Sequence, residues 1–425
     1  MTAPAGTMEQ TYFRRGFGLK QAIEPLIQAD YHSALVDRIR ARGYQETFGD
    51  GDQRVVVRLA EEFGFCYGVD RAVDYAYETR TQFPDRRIFL AGEIIHNPHV
   101  NRRLTEMGIV FLHPDAEGVF DFGGIGPEDV VILPAFGVTV SDFGRLRALG
   151  CILVDTTCGS VLNVWKRVEQ YARDGFTALI HGKYYHEETR ATASQVFRHP
   201  GGAYLIVRDM VEARLVMDYV EGTPGALDRD AFLAHFRDKT SPGFDPELHL
   251  ARIGVANQTT MLSGDSLAIA AEVAKSLERR YGGEPGYTPD AHFRSFDTIC
   301  SATQERQDAV VKLVSGPQGP PDLMLVVGGY NSSNTNHLAV LCARHTTTFH
   351  IADAGCTDPE AGTIRFKPNG SPFDTPEVVA EDWLPPGPLT IGLTAGASTP
   401  NNKIGETVEL ILRVRGIEAE VAAGV

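Results

Sequence analysis

The sequence predicts an α/β protein built from three similar modules, and three observations support this prediction. From residue 54 onward, short runs rich in Val, Ile and Leu alternate with segments of helical periodicity, which is the pattern of a parallel α/β fold. A strand–cysteine–helix unit occurs three times, at Cys66, Cys158 and Cys300. After each unit comes a second strand that ends in a polar loop. The likeness lies in the order of the elements, because the three segments diverge too far for a sequence repeat.

These units divide the chain into an extension and three modules. Residues 1–53 are polar and locally helical, and we expect this N-terminal extension to pack on the body or on a second subunit. The α/β modules span residues 54–157, 158–298 and 299–425, and the last of them ends in a C-terminal helix. Three irregular segments are also predicted: an insertion with one helix at residues 221–249, a linker at 286–297 and a surface loop at 367–388.

Composition narrows the class of protein. A chain of 425 residues with 43% hydrophobic and 22% charged residues is typical of a globular protein of two or three domains. The net charge of −15 argues against nonspecific nucleic-acid binding, which needs an excess of Lys and Arg. The N-terminal stretch has no apolar signal region and no later run approaches a membrane span, so we expect a cytoplasmic protein without membrane contact.

The cysteine pattern indicates a shared ligand. None of the six cysteines lies in a C-x-x-C pair, and six are too few for a disulfide framework in a chain of this length. A cysteine at a strand-to-helix junction meets free N–H groups and the positive end of the helix dipole, so we expect a lowered thiol pKa. Three such thiolates suit an iron–sulfur cluster that lacks its fourth protein ligand and keeps one iron open to substrate. The alternatives are three small core residues, or a closed zinc site with three cysteines and a histidine.

The polar loops supply a second set of candidate site residues. Ligands of open α/β sheets bind at the carboxyl ends of the strands, where hydroxyls, amides and helix N-termini can donate hydrogen bonds to phosphate oxygens. Among the loop motifs only Glu188 is a carboxylate placed to deliver protons. Each residue also has an ordinary interpretation, as a helix N-cap or as a buried histidine. The other candidates are His96, His186, Thr259, Ser332, Ser333, Asn334 and Ser398.

Taken together, these motifs resemble the 4-hydroxy-3-methylbut-2-enyl diphosphate reductase family, whose members catalyse the last step of the methylerythritol phosphate route to isoprenoids. The matching motifs occur in order between residues 64 and 398 and are therefore specific as a set. They are GFCYGVDRA, EIIHNPHV, DTTCGSV, HGKYYHEETRATA, NQTTM, ICSATQERQ, GGYNSSNTNHL and TAGAS.

The resemblance implies three modules in a pseudo-threefold arrangement around a central [4Fe–4S] cluster, which can be isolated as a [3Fe–4S] form. It implies that Cys66, Cys158 and Cys300 hold the cluster and that Glu188 is the proton source. It also implies that the remaining candidates contact an allylic diphosphate, which is reductively dehydroxylated to isopentenyl and dimethylallyl diphosphate. A ferredoxin or flavodoxin would supply the electrons, and the N-terminal extension could join an oligomer.

The chain departs from many bacterial members of that family at two positions. Phe136 stands where those members have His, which puts in doubt a substrate contact or proton relay there, and Asn257 stands where many have Thr. Together with the extension and the insertion, Phe136 resembles the plant and cyanobacterial-type branch. Two other function classes stay open at this point. An open-iron hydro-lyase would turn over without reductant, and a cluster- or zinc-based sensor would have no turnover.

Overall fold

A computed structural model describes residues 11–296, 298–372 and 374–417 of the chain. The strands are β1 (Tyr12–Phe13), β2 (Gln45–Phe48), β3 (Val55–Leu59), β4 (Ile88–Ala91), β5 (Ile109–Leu112), β6 (Val130–Leu133), β7 (Ile152–Asp155), β8 (Thr177–His181), β9 (Tyr204–Val207), β10 (Ile253–Asn257), β11 (Phe293–Ser295), β12 (Leu323–Val327), β13 (Thr347–Ile351), β14 (Thr357–Asp358), β15 (Thr363–Phe366), β16 (Val378–Glu381) and β17 (Leu389–Ala395). The helices are α1 (Lys20–Tyr31), α2 (Ala34–Ala41), α3 (Tyr67–Gln82), α4 (Pro98–Glu106), α5 (Val140–Ala148), α6 (Gly159–Arg173), α7 (Glu187–Ala193), α8 (Met210–Glu221), α9 (Arg229–His235), α10 (Pro246–His249), α11 (Ser263–Tyr281), α12 (Pro289–His292), α13 (Ser301–Ser315), α14 (Ser333–Ala343) and α15 (Asn401–Val414).

The strands form three mainly parallel sheets and one small antiparallel ribbon. The first sheet has the order β1-β7-β6-β4-β5 and the second has the order β11-β10-β8-β9, with every pair parallel. The third sheet has the order β13-β12-β17-β3-β2, in which β2 is antiparallel to its neighbour. The antiparallel ribbon β14-β15-β16 lies beside it. The predicted α/β fold with three parallel sheets is confirmed.

Each sheet is buried on both faces, which explains why its strands are continuous apolar runs instead of alternating ones. Along β6, Val130 and Ile132 point into one hydrophobic cluster, whereas Val131 and Leu133 point into another. The other two sheets are sandwiched in the same way between two clusters each. Burial on both faces holds the sheets rigid, so the loops at their carboxyl ends have fixed positions.

The three strand–cysteine–helix units cross from one sheet to the next. Strand β3 belongs to the third sheet, but α3 packs on the core of the first. Strand β7 belongs to the first sheet, and α6 packs on the second. Strand β11 belongs to the second sheet, and α13 packs on the third. Residues 55–59, which the predicted boundaries place in the first module, therefore pair in parallel with β17; the boundaries as a whole stay a prediction. Each cysteine lies where the chain leaves one sheet for another.

Residues 11–53 of the predicted extension pack on the body. Strand β1 extends the first sheet, β2 extends the third, and α1 lies against α3. The Glu78 carboxylate of α3 anchors the segment before α1 by accepting hydrogen bonds from the backbone N–H groups of Phe17 and Leu19. The part of the extension that the structure describes is therefore an integral layer of the fold.

The three irregular segments contain more regular structure than their sequence indicates. Residues 221–249 were expected to hold one helix but contain both α9 and α10, and Phe232, Phe236 and Phe244 from this insertion are buried in the second module's core. The linker contributes β11 to the second sheet, and the surface loop contributes β16 to the ribbon. In the described ranges, no helix combines the length and apolar character needed to cross a bilayer.

Candidate active site

The three candidate metal-binding cysteines occupy the same structural position in their units. Cys66, Cys158 and Cys300 are the N-cap residues of α3, α6 and α13, each with extended backbone angles. None of the three side chains makes a capping hydrogen bond to its own helix. A thiol that does not cap its helix is left to face whatever lies in front of the helix N-terminus. All three line one cavity between the modules.

The thiols approach one another closely but not as closely as the ligands of a single ion. A Cβ atom placed on Gly68 would lie 2.5 Å from the Cys158 sulfur and 3.9 Å from the Cys66 sulfur, so both sulfurs lie beside this glycine. Among the described residues, which include all three cysteines, only His96, His186 and Glu187 form a trio of possible metal ligands with their atoms within 4.8 Å of one another. Sulfurs around one tetrahedral zinc, bonded at about 2.3 Å, lie closer together than that limit. The thiol spacing is therefore wider than a mononuclear zinc site requires.

Burial changes the expected acidity of these thiols. It raises the pKa of Cys66 and of Cys158 above the usual value, although backbone N–H groups of the following helical turn act in the opposite direction. The nearness of the other thiols raises the pKa further. The prediction of a lowered pKa is therefore wrong for these two residues, because removal from water outweighs the helix N-terminus. Thiols in this setting need a cation to hold them as thiolates.

Two arginines fix the loops that carry the thiols. The buried Arg306 guanidinium donates to the carbonyl oxygen of Gly64 at 2.7 Å and to that of Phe65 at 3.1 Å, directly before Cys66. Arg71 donates to the Thr157 carbonyl, directly before Cys158. Both arginines belong to helices that begin at cysteines, so each helix helps to hold a thiol-bearing loop.

The carboxylate predicted to deliver protons lies deep in the same cavity. Glu188 is 1% exposed, and its two oxygens accept hydrogen bonds from the Thr259 backbone N–H at 2.5 Å and the Thr259 hydroxyl at 3.0 Å. Burial raises the pKa of Glu188 to about 7, against the opposing effects of Thr259 and His96. A carboxyl group with this pKa is about half protonated near neutral pH and can give up a proton there.

The two candidate histidines meet across the first two modules. Their Nε2 atoms lie 3.3 Å apart, and His96 stacks on the Phe136 ring with centroids 4.3 Å apart. The Nδ1 atom of His96 lies 2.9 Å from the Glu93 carboxylate, which also accepts a hydrogen bond from Asn331. The buried position of His186 lowers its pKa well below the usual value, so this ring is neutral. Phe136 therefore packs against the cavity histidines.

The serine and asparagine loop of the third module holds polar atoms with no protein partner. Ser332 caps α14 and accepts hydrogen bonds from Thr335, as its ordinary interpretation predicts. The Ser333 hydroxyl and the Asn334 side-chain nitrogen, in contrast, are buried without a hydrogen-bond partner. A buried polar group without a partner costs about 1–3 kcal/mol. These two atoms therefore indicate a place for a hydrogen-bonding ligand.

All of the predicted site residues line this cavity, together with residues that sequence reasoning did not select as candidates. Ser398 donates to the backbone carbonyl of His96, which links the third module to the first. Asn257 lies outside the lining, and Thr298 donates a hydrogen bond to it. Sequence reasoning did not select Gly68 and Thr260, which line the cavity, or Glu93, which contacts His96. The position of Glu93, three residues before His96, was the signal that could have identified it. The predicted residues that line the cavity are Cys66, His96, Cys158, His186, Glu188, Thr259, Cys300, Ser332, Ser333, Asn334 and Ser398.

Comparison with known proteins gives concordant matches. The family described as LytB protein matches residues 57–412. The chain is 47% identical over 409 residues to the 4-hydroxy-3-methylbut-2-enyl diphosphate reductase of Thermosynechococcus vestitus, with 96% of each chain covered. It is 46% identical to the protein of the same name from Gloeobacter violaceus, with 98% of this chain and 95% of the relative covered.

Solved structures show the same fold. The E-1-hydroxy-2-methyl-but-2-enyl-4-diphosphate reductase of Plasmodium falciparum is similar with a TM-score of 0.58 at 20% identity, covering 84% of this chain and 87% of that one. A structure described as (E)-4-hydroxy-3-methyl-but-2-enyl diphosphate reductase, the terminal enzyme of the non-mevalonate pathway, gives a TM-score of 0.50 at 24% identity. At these identities the likeness supports the fold.

Proposed function

Because this chain belongs to the LytB protein family, we propose that its shared cavity reductively dehydroxylates 4-hydroxy-3-methylbut-2-enyl diphosphate to isopentenyl and dimethylallyl diphosphate. The observation that carries the proposal is the convergence of three thiols, one buried carboxyl group and two unpartnered polar atoms on one cavity. The chain is an oxidoreductase of isoprenoid biosynthesis, and the reaction is the last step of the methylerythritol phosphate pathway. We therefore propose that the chemistry takes place in this cavity.

The overall reaction consumes two electrons and two protons. The C–O bond of the allylic alcohol breaks, and the oxygen leaves as water with one added proton. The second proton forms a new C–H bond at either end of the allylic unit, which accounts for two products. The protein must therefore hold the diphosphate, deliver protons at a defined place and admit single electrons.

The thiols fit an iron–sulfur cluster, and we assign Cys66, Cys158 and Cys300 as its ligands. Their spacing supports a cluster over a single zinc ion. Of the six cysteines, all within the described ranges, only these three line the cavity, so one iron of a [4Fe–4S] cluster would lack a cysteine ligand. When bound, such a cluster supplies one-electron transfer and a Lewis-acidic iron. Gly68 leaves the room that the Cys158 sulfur needs, and Arg306 and Arg71 keep the thiol loops in place.

We assign the proton delivery to Glu188. Because the pKa of Glu188 is about 7, its carboxyl group carries a proton that it can donate near neutral pH. Hydrogen bonds from Thr259 to both carboxyl oxygens fix the orientation of this group. Because Glu188 is 1% exposed, its proton is shielded from bulk water. His96, with its Nδ1 atom beside Glu93, directs Nε2 into the cavity as a further hydrogen-bonding group.

We assign the diphosphate to the hydroxyl and amide groups opposite the thiols. Ser333 and Asn334 offer unpartnered donors there, and Ser332, Ser398, Thr259 and the two histidines surround them. The N-terminus of α14 begins at Ser333 and adds a favourable dipole for a dianion. Neutral donors of this kind hold phosphate oxygens without the charge of an arginine.

Electrons come from a small one-electron carrier, a ferredoxin or flavodoxin, because each transfer through a cluster moves one electron. The proposed setting is the cytoplasm. The described part of the extension packs on its own chain and exposes its outer face, through which an oligomer could form. A hydro-lyase acting through an open iron would need the same ligands but no electrons, so the requirement for a reductant separates it from the proposed reaction.

The test is an anaerobic assay of cluster-loaded protein with the allylic diphosphate. Dithionite-reduced methyl viologen serves as donor, and its oxidation is followed together with the two hydrocarbon diphosphates. We expect about one product molecule for every two viologen radicals oxidised. Turnover without any reductant would identify the hydro-lyase instead. Stoichiometric zinc without iron in the purified protein would rule out both the reductase and the hydro-lyase.

A further inference from the structure

The side chains that line the cavity offer little positive charge to the diphosphate that we assign to it. Within the described residues, the lining contains neither Lys nor Arg, and Glu188 adds negative charge whenever it ionises. A diphosphate monoester carries several negative charges near neutral pH, and such charge is costly to bury without a cation beside it. The only lining side chains that can become cations are the histidines, His96 and His186. The positive charge that the lining offers therefore depends on the protonation of these two rings.

The hydrogen bonds of the two rings fix the positions of their protons. The backbone N–H of Glu188 donates to the Nδ1 atom of His186 at 3.1 Å, so this nitrogen is an acceptor and carries no proton. Burial lowers the pKa of His186 well below the usual value, so the ring is neutral and its single proton lies on Nε2. The Nε2 atom of His96, 3.3 Å away, accepts that proton's hydrogen bond. His96 is then a neutral ring with its own proton on Nδ1, which lies 2.9 Å from the Glu93 carboxylate.

Glu93 and Asn331 support this assignment from the other side of the His96 ring. One carboxylate oxygen of Glu93 lies 2.9 Å from the Nδ1 atom of His96 and 2.9 Å from the side-chain nitrogen of Asn331. The same Asn331 nitrogen lies 3.3 Å from Nδ1, because both donors share this oxygen. A lone pair on Nδ1 would face the carboxylate and be repelled by it. Glu93 therefore keeps the proton on Nδ1, orients the ring and leaves a negative charge beside it.

The other neighbours of His96 also favour a positive charge on its ring. The Glu187 carboxylate lies 3.6 Å from its Nε2 atom, and the Phe136 ring stacks on it with centroids 4.3 Å apart. An aromatic face attracts a cation at this distance. His186 differs, because burial, His96 and Lys183 all lower its pKa. Glu187 lies 3.9 Å from its Nδ1 atom, but that nitrogen already accepts a backbone hydrogen bond. His96 is therefore the ring that can accept a second proton at the lower cost.

We propose that Glu93 is a positioning residue that makes His96 take up one proton when the diphosphate binds. The proton comes from water, which reaches the pair because the Glu93 side chain is 32% exposed. The resulting imidazolium lies between the Glu93 carboxylate and a phosphate oxygen, and the Nε2–H group of His186 turns from His96 to the phosphate. No covalent bond of the substrate changes in this step, and the proton returns to water when the product leaves. The proposal rests on the proposed function, which assigns a diphosphate to this part of the cavity.

The Glu93→Gln variant isolates the charge of this residue. Because a single carboxylate oxygen accepts both hydrogen bonds, the amide oxygen of glutamine can accept them and keep both partners oriented. Asp37→Asn is the matched control, because the Asp37 carboxylate lies 2.7 Å from the Nε2 atom of His32 at an exposed position outside the cavity. Glu188→Gln removes the other titrating carboxyl group of the cavity.

The cluster-loaded, oxidised proteins are titrated with the allylic diphosphate by calorimetry in buffers of different ionisation enthalpy. The dependence of the binding enthalpy on the buffer gives the number of protons taken up for each ligand bound. We expect about one proton for the wild type, Asp37→Asn and Glu188→Gln, and less than about half a proton for Glu93→Gln. Glu93→Gln should also bind the diphosphate about tenfold more weakly than the wild type, as a hydrogen bond loses its charge assistance. The wild-type Kd should rise with pH, because binding that takes up protons weakens as protons become scarce.

Each remaining outcome contradicts either the inference or the function on which it rests. Equal proton uptake by Glu93→Gln and the wild type would overturn the role of Glu93. Loss of uptake in Glu188→Gln would assign the proton to Glu188 and overturn the proposal even if Glu93→Gln does not fold. A wild-type protein that holds its cluster but does not bind the allylic diphosphate would instead overturn the proposed function.

Discussion

The two halves of the cavity are built in opposite ways. On the thiol side, three cysteines cap three helices without using their side chains, and burial raises the pKa of two of them. On the polar side, most groups already hold one another, as Glu188 and Thr259 do. In our proposal the function of the thiol half therefore depends on a metal cluster, whereas the polar half holds itself together and has only a few open donors. Changes in the thiol half should abolish function, and changes in the polar half should reduce it by degrees.

The largest effect is expected from removing one thiol. Cys300→Ser should lose the cluster and lower viologen-driven turnover by at least about a thousandfold, since both Lewis-acid and electron-transfer chemistry depend on it. The measurement is iron and sulfide content with turnover per protein. Cys151→Ser is the control, because this buried cysteine lies outside the cavity and its thiol only donates weakly to the Leu146 carbonyl. Full cluster content in Cys300→Ser would contradict the assigned ligand.

The next effect concerns the carboxyl group in the polar half. Glu188→Gln should keep the cluster and lower turnover by about 10²–10⁴-fold, because it preserves shape but removes the proton donor. Glu128→Gln, at an exposed glutamate outside the cavity, should keep most of the activity. The two variants are compared by kcat at saturating substrate. Wild-type kcat in Glu188→Gln would remove the assigned role.

The pH dependence follows from the same group. Because the pKa of Glu188 is raised to about 7, its acidic form predominates below that pH and is lost above it. If Glu188 is the donor, kcat/KM should fall about tenfold for each pH unit above 7. The measurement uses viologen as donor, so that a protein carrier's own titration does not interfere. A profile that stays flat from pH 6 to 9 would exclude Glu188 as the titrating acid.

The fourth prediction concerns Gly68, where an added methyl group should affect cluster binding more than it affects protein stability. Gly68→Ala would place a carbon 2.5 Å from the Cys158 sulfur, so we expect reduced cluster occupancy. Alanine has a higher helix propensity than glycine by about 1 kcal/mol, which offsets part of the strain of this contact, so we expect iron content to fall more than the stability of the cluster-free protein. Gly159→Ala is the control, since nothing lies within 4 Å of its added Cβ. Iron content and thermal unfolding of both variants are compared, and equal iron content would show that the glycine is not required.

The smallest effect is expected from one open donor of the polar half. Ser333→Ala should weaken binding of the allylic diphosphate by about 1–2 kcal/mol, or roughly 5- to 30-fold, as one hydrogen bond to a charged group is lost. Ser276→Ala, at a buried serine of α11 away from the cavity, should leave affinity unchanged. Dissociation constants are measured by calorimetry with the oxidised protein. An unchanged constant for Ser333→Ala would remove it from the binding site.

The sequence predicted the local features of both halves, and the structure shows why it could not predict the rest. N-cap cysteines and polar loops at strand ends follow from short-range periodicity, and they were placed correctly. The pairing of β3 with β17 depends on a hydrogen-bonding edge formed by a segment far away in the chain. The strand β16 inside an apparent loop pairs with the nearby β15, and its polar, Pro-rich surroundings concealed this pairing. The thiol pKa was expected to be lowered by the helix N-termini, but burial raises the pKa of Cys66 and of Cys158, and burial depends on the tertiary packing.

The hydrogen bonds that orient the site residues could not be predicted from the sequence either. Thr259 lies 71 residues from Glu188, and Asn331 lies 238 residues from Glu93. No local pattern links such pairs, because the first forms when β8 and β10 pair within one sheet and the second forms between two modules. The candidate residues could therefore be named from the chain, but their partners and protonation could not.

The most direct test of the central claim is an electron paramagnetic resonance spectrum of the reduced, anaerobically loaded protein, recorded with and without the allylic diphosphate. The account predicts a cluster signal that depends on all three cysteines and changes when the diphosphate is added, because the thiols and the polar loops share one cavity. A signal that is indifferent to the diphosphate, or a protein that holds zinc in place of iron, would contradict it.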